Sequence, residues 1–313
     1  MSLKHFLFGA TLTMLAYQCH ASCSTFIHTK EIDAQQLWQD IHVLASDHMQ
    51  GRQTNTAGAQ LARNYIQTRY EQIGLLPFNK EPEYFHPFHI AKPWAELAGV
   101  NVVGFIEGAT RKHEYIVVSA HYDHLGKKGR QIFNGADDNA SGVAAMINIA
   151  AYVTRHGSKH SIIFLASDAE ELGLHGSKVF VSDPPIPLSA IKFNLNLDML
   201  AEGGRRKKLY VTHSRGDDRI DRLVDKSIKG AGLCLVKGHR RSQRGYSSAT
   251  KVNWRKASDH ASFASKNIPY LFVGVGVHRR YHTQRDTTND INKGFYTAAV
   301  ETSLSLLKAL DSL

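Results

Sequence analysis

The sequence is sparing with cysteine and proline, which number three and eight among 313 residues. Three cysteines are too few for a disulfide-built scaffold, and Cys19, Cys23 and Cys234 lack the paired spacing of a thiolate zinc site. So few prolines, with 42% hydrophobic content, exclude a mainly disordered chain. Beyond residue 17 no run approaches the ~18 apolar residues of a membrane span, so no transmembrane segment is expected. Internal repeats and low-complexity linkers are missing too. The net charge is +10 with histidine neutral. However, no aromatic-basic motif of a nucleic-acid module accompanies it. The basic runs at Arg205 to Lys208, Lys237 to Lys256 and Arg279-Arg280 therefore read as solvated loops facing an anionic cell envelope, not as a nucleic-acid surface.

What is present begins with an export signal. Lys4 precedes an apolar run from Phe6 to Tyr17, which ends in small and polar residues around Cys19 to Cys23. This is the layout of a signal peptide, with cleavage after Ala21. A lipid anchor on Cys23 is the alternative, but His20-Ala21-Ser22-Cys23 has no aliphatic residue three positions before the cysteine. The mature chain is expected to be soluble in a periplasmic or secreted compartment. There Cys23 and Cys234 would pair only if the fold brings them together.

Ile32, Leu37, Ile41 and Leu44 form one helical apolar face, and Leu61, Tyr65 and Ile66 form a second before Gly74, so residues 31–74 read as a helical pair. From about residue 100 the pattern changes to short buried runs at Tyr115 to Ala120, Ser161 to Ala166, Ile191 to Leu197 and Ile268 to Val273. Helical stretches at Ser141 to Arg155, Asp217 to Lys229 and Lys293 to Leu310 alternate with them. The expectation is an α/β protein, a three-layer sandwich on a central mixed, largely parallel sheet. The division is a signal over 1–21 and a single domain over 22–313, with the helical segment at 31–74 and the core from about 100.

Residues able to hold a metal recur where these strands end, the place where open α/β sheets carry their sites. The first strand runs into His121-Tyr122-Asp123-His124. Residues i and i+2 of extended chain point the same way, so His121 could bind a metal while Asp123 orients its other ring nitrogen. Gly135-Ala136-Asp137-Asp138 is a carboxylate pair on a small-residue turn leading into a helix. The second strand delivers Glu170-Glu171, the third Asp198, and the loop beyond the fourth Tyr281-His282-Thr283. Adjacent glutamates point apart, so one can bind a cation while its neighbour handles a proton. Acidic residues in apolar surroundings are costly to bury without a compensating cation. Two histidines and three carboxylates suit two zinc ions that share one bridging carboxylate.

The segments HYDH (121–124), GADDNASG (135–142), AEELG (169–173), NLDM (196–199) and YHT (281–283) resemble metallopeptidase family 28 in order and spacing. The segments 46–66 and SDHASF (258–263) resemble further parts of that family, and the resemblance runs from about residue 35. It implies a zinc-exopeptidase fold with two Zn2+ ions per chain. His121 and Asp198 would hold one ion, Glu171 and His282 the other, and Asp138 would bridge. Glu170 would be the general base, Asp123 would support His121, and a cis peptide would join Asp137 to Asp138. The implied activity is aminopeptidase cleavage of peptide or protein N-termini. Two alternatives share the scaffold. One is a glutaminyl cyclase, which usually has Trp where this chain has Tyr281. The other is a carboxypeptidase, whose cationic pocket would draw on Arg244, Arg255 or Lys256.

Overall fold

The computed structural model describes residues 26–78, 84–92, 95–239 and 252–313. The expected signal peptide, Cys23 and Arg244 lie outside the described residues. Two helices open the described chain, α1 (Ala34–Leu44) and α2 (Ala57–Ile73), joined by a tight turn at Asp47–Arg52. Asp33 caps α1 by accepting from the amides of Gln35 and Gln36, and Gly74, at φ 83°, ends α2 in the left-handed region that glycine tolerates. This is the helical pair expected over 31–74.

The strands β1 (Phe85–Lys92), β2 (Ala95–Ile106) and β3 (Arg111–His121) follow, then a small hairpin of β4 (Gly126–Lys128) and β5 (Gln131–Phe133). Next come α3 (Gly142–His156), β6 (His160–Ser167), α4 (His175–Ser182), β7 (Ile191–Leu197) and β8 (Lys208–His213). The chain closes with α5 (Asp218–Gly230), β9 (Cys234–Lys237), α6 (His260–Ser265), β10 (Tyr270–Gly274) and α7 (Lys293–Asp311). Cys234 is disulfide-bonded.

Eight strands form one mixed sheet in the order β1-β2-β6-β3-β7-β10-β8-β9. The middle four, β6, β3, β7 and β10, run parallel to one another; β1–β2, β2–β6 and β8–β10 pair antiparallel, and β8–β9 pair parallel. Alternation of side chains divides the core into two layers. On one face Ile116, Val118, Ile162, Phe164 and Leu195 pack with α1, α2, α3, α5 and α7. On the other, Val117, Ile163 and Leu165 meet Phe180 of α4 and Phe263 of α6. Helices cover both faces, so the α/β sandwich expected from the sequence is the fold observed. The C-terminal ends of the four middle strands are thereby aligned along one edge.

Candidate metal centre

Each expected donor hangs from that edge. His121 ends β3, Asp198 directly follows β7, and Glu170 and Glu171 follow β6 by three and four residues. His282 comes from the loop beyond β10, and Asp138 from the turn before α3. His121 Nε2 lies 3.4 Å from Asp138 Oδ1 and 3.4 Å from Asp198 Oδ1. His282 Nε2 lies 3.1 Å from the other oxygen of Asp138, Oδ2, and 3.2 Å from Glu171 Oε2. Donors sharing a tetrahedral zinc with bonds of ~2.0–2.1 Å stand about 3.3 Å apart. The five side chains thus form two donor triads that meet at Asp138. Asp138 Oδ2, Asp198 Oδ1 and His282 Nε2 have no hydrogen-bond partner among the described residues. Orphaned acceptors and an imidazole nitrogen that converge in this way fit a pair of cations.

The charge balance carries the same signature. Burial alone would depress the His121 and His282 pKa values. Nearby carboxylates outweigh it, taking His121 well above the ordinary histidine range and His282 to about 10. Burial opposes ionisation of Asp138 as well, yet the imidazoles of His121, His124 and His282 hold it well below a normal carboxylate. Glu170 goes the other way. Burial, with Asp198, Asp259 and Glu171 nearby, raises it well above its ordinary value against the opposing pull of His121. The two glutamates therefore face different groups: Glu171 the pair His124 and His282, Glu170 the side occupied by His121 and Asp198.

One sequence expectation changes in detail. The cis peptide joins Asp138 to Asn139, not Asp137 to Asp138. The Asn139 side chain is the pinned one, donating to the Leu197 carbonyl and accepting from the amides of Gly142 and Met199. Asp123 stands beside His121 as expected and does more besides. Its backbone carbonyl, 3.2 Å away, is closer to His121 Nδ1 than its carboxylate at 3.7 Å. That carboxylate also accepts from the amides of Glu170 and Glu171, fixing the segment that carries both glutamates.

Several supporting residues escaped the sequence reading. Arg52 is fully buried and donates to the carbonyls of Leu44, Tyr122, Asn134 and Gly135 at 2.6–3.0 Å, tying the first helical pair to both donor loops. The Asp286 carboxylate accepts from the amides of Asp137 and Asp138, so the loop that carries His282 also clamps the bridging turn. His278 lies between Asp137 at 3.0 Å and Glu202 at 2.9 Å. Ala169, Met199 and His282 have φ of 58°, 64° and 57°. Strained backbone thus includes the donor His282 and flanks the donor Asp198 and Glu170. Only Asp286 had a local signal, its place four residues after His282. The other contacts join segments far apart in the chain.

A cavity of about 220 Å³ opens on the centre, lined by His121, Asp138, Glu170, Glu171 and Asp198 on one side. Trp254, Phe272, Val277 and Tyr281 give it an apolar wall, and Tyr281 stacks on His282 at 3.8 Å. Arg255 and Lys256 are exposed, and Arg255 lines a separate cleft with His213 and Tyr270.

A model of peptidase family M28 matches residues 101–307, a span that includes all five donors and Glu170. The chain belongs to peptidase family M28. Among curated relatives, aminopeptidase YwaD of Bacillus subtilis is 34% identical over 217 residues, which are 64% of this chain and 42% of that protein. Leucine aminopeptidase 2 of Trichophyton rubrum is 24% identical and matches 62% of this chain and 41% of its own length. The chain spans about half the length of such relatives. Solved structures show the same fold. BSAP, a zinc aminopeptidase from Bacillus subtilis, superposes with a TM-score of 0.67 over 88% of this chain and 94% of its own, at 17% identity. The glutaminyl cyclase of Porphyromonas gingivalis does so with a TM-score of 0.69 over 90% and 99%, at 18% identity.

Proposed function

We propose that the chain is an exported, two-zinc aminopeptidase that removes the N-terminal residue of peptides. The observation that carries this reading is the pair of donor triads sharing Asp138, with Glu170 beside one of them. When bound, the zinc pair supplies Lewis acidity, lowering the pKa of water and polarising the scissile carbonyl. Glu170 takes the proton of the attacking water and returns it to the leaving amine. Asp123 holds the Glu170 and Glu171 amides in place, and the apolar wall of the cavity receives the side chain of the first residue. Export is supported by the signal-like N-terminus and by the disulfide at Cys234, since such bonds persist in oxidising compartments. No helix among the described residues is long and apolar enough to cross a membrane. We take residues 22–313 as a single peptidase domain.

The experiment is hydrolysis of free and N-blocked aminoacyl substrates, with and without chelator. Chelator-sensitive release from free amino termini is expected, and cleavage of blocked substrates alone would overturn the reading. The glutaminyl cyclase reading shares the fold, and the same panel detects it as cyclisation of N-terminal glutamine. Against it stands the complete His121-Asp198 triad, which a single-metal cyclase does not need. Glu170→Gln is expected to lower turnover by about 10²–10⁴-fold with zinc content unchanged. Loss of zinc in that variant would contradict the role.

A further inference from the structure

One imidazole at the centre belongs to neither triad. His124 is fully buried, three residues past His121, with its Nδ1 2.9 Å from Glu171 Oε1 and 3.8 Å from Asp138 Oδ2. It therefore reaches both carboxylates of the position that His282 completes, and His124, Asp138 and Glu171 offer one ligand atom each within 4.8 Å of one another. The ring is seated by construction. A Cβ on Gly135 would come within 2.6 Å of it, so only glycine leaves it room against the bridging turn. Its far nitrogen, Nε2, has no hydrogen-bond partner among the described residues.

We propose that His124 is a fourth protein donor, through Nδ1, at the position formed by Asp138, Glu171 and His282. This inference rests on the two-metal reading above. His124 Nδ1 stands 2.9 Å from Glu171 Oε1 and 3.8 Å from Asp138 Oδ2, values on either side of the about 3.3 Å that separates donors on one tetrahedral zinc. Four protein donors close a zinc position, whereas three leave a place for water and substrate. The two positions are then unequal. The one with His124 is the tighter and fills first, and the one with His121 and Asp198 stays open to the cavity that Glu170 also lines.

The full-length protein, stripped of metal, is titrated with cobalt and zinc. Two binding steps are expected, and the first equivalent of zinc should give an X-ray absorption spectrum with two imidazole neighbours. One imidazole in that spectrum would overturn the proposal. His124→Ala and His124→Asn should both weaken the first step at least about tenfold and change the cobalt visible spectrum. Asparagine can still donate to Glu171 but lacks the imidazole donor. If His124→Asn kept wild-type affinity and spectrum, His124 would be a hydrogen-bond partner only. Metal uptake is read without substrate, so failure of the peptidase assay leaves this test intact, and wild-type protein that binds only one cobalt would fault the two-metal reading instead.

Discussion

At the scale of single residues, the centre depends on groups that hold donors as much as on the donors. Asp138 touches both triads, so Asp138→Ala should empty both positions, and full activity with normal zinc content would sink its bridging role. Asp286 acts one step back, accepting from the amides on either side of the Asp137 peptide plane. Asp286→Ala should weaken zinc binding by about 10–100-fold, read in a competition titration with a chromogenic chelator. Arg52 carries the largest structural load. Without its guanidinium, four buried carbonyls lose a donor, and of these Gly135 keeps the Ala140 amide. Arg52→Met should therefore cost at least about 3 kcal/mol in urea denaturation. Unchanged stability would show that water or a shifted backbone satisfies those carbonyls.

At the scale of elements, the loop before α6 and strand β10 share an aromatic stack. His239 lies on Trp254 and Phe272, at 4.4 and 4.6 Å, and His260 lies on Phe272 at 4.5 Å. Burial lowers His239 to about 3 and His260 to about 4. The folded protein keeps both neutral while the unfolded chain protonates near 6.5, so neither group affects stability above that pH. As pH falls below 6.5 each removes up to about 1.4 kcal/mol per unit, until its folded pKa is reached. In chelator, lowering the pH from 7 to 5 should lower the melting temperature of the wild type relative to that of His260→Phe, which keeps the stack. An equal fall in that variant would contradict the assignment. The sequence revealed elements unevenly for a related reason. Strands β3, β6 and β10 carry continuous apolar runs, and β7 alternates Ile191, Phe193, Leu195 and Leu197 with polar residues, so all four were readable as buried strands. Strands β8 and β9, exposed in part, carry no such run, and β1 and β2 mix polar with apolar residues, so all four were missed. The donors were legible because each follows a readable strand or a glycine-rich turn. Arg52, His278 and the apolar wall were not, because their partners are distant in sequence.

For the molecule as a whole, metal and fold should be linked. Five carboxylates and imidazoles drawn together at one sheet edge favour the state that can bind cations, and the unfolded chain offers no such cluster. Zinc at 100 times its Kd should stabilise the protein by about 2.7 kcal/mol, seen as a melting temperature that climbs with zinc concentration. A melting temperature indifferent to zinc would argue that the cluster holds no metal. The layout also separates what holds the metals from much of what would touch the substrate. Val252, Trp254 and Ala257 line the cavity from the segment between β9 and α6, which contributes none of the five donors. On the reading proposed above, these three nearby positions can vary the side chain that the cavity accepts while the donors stay as they are.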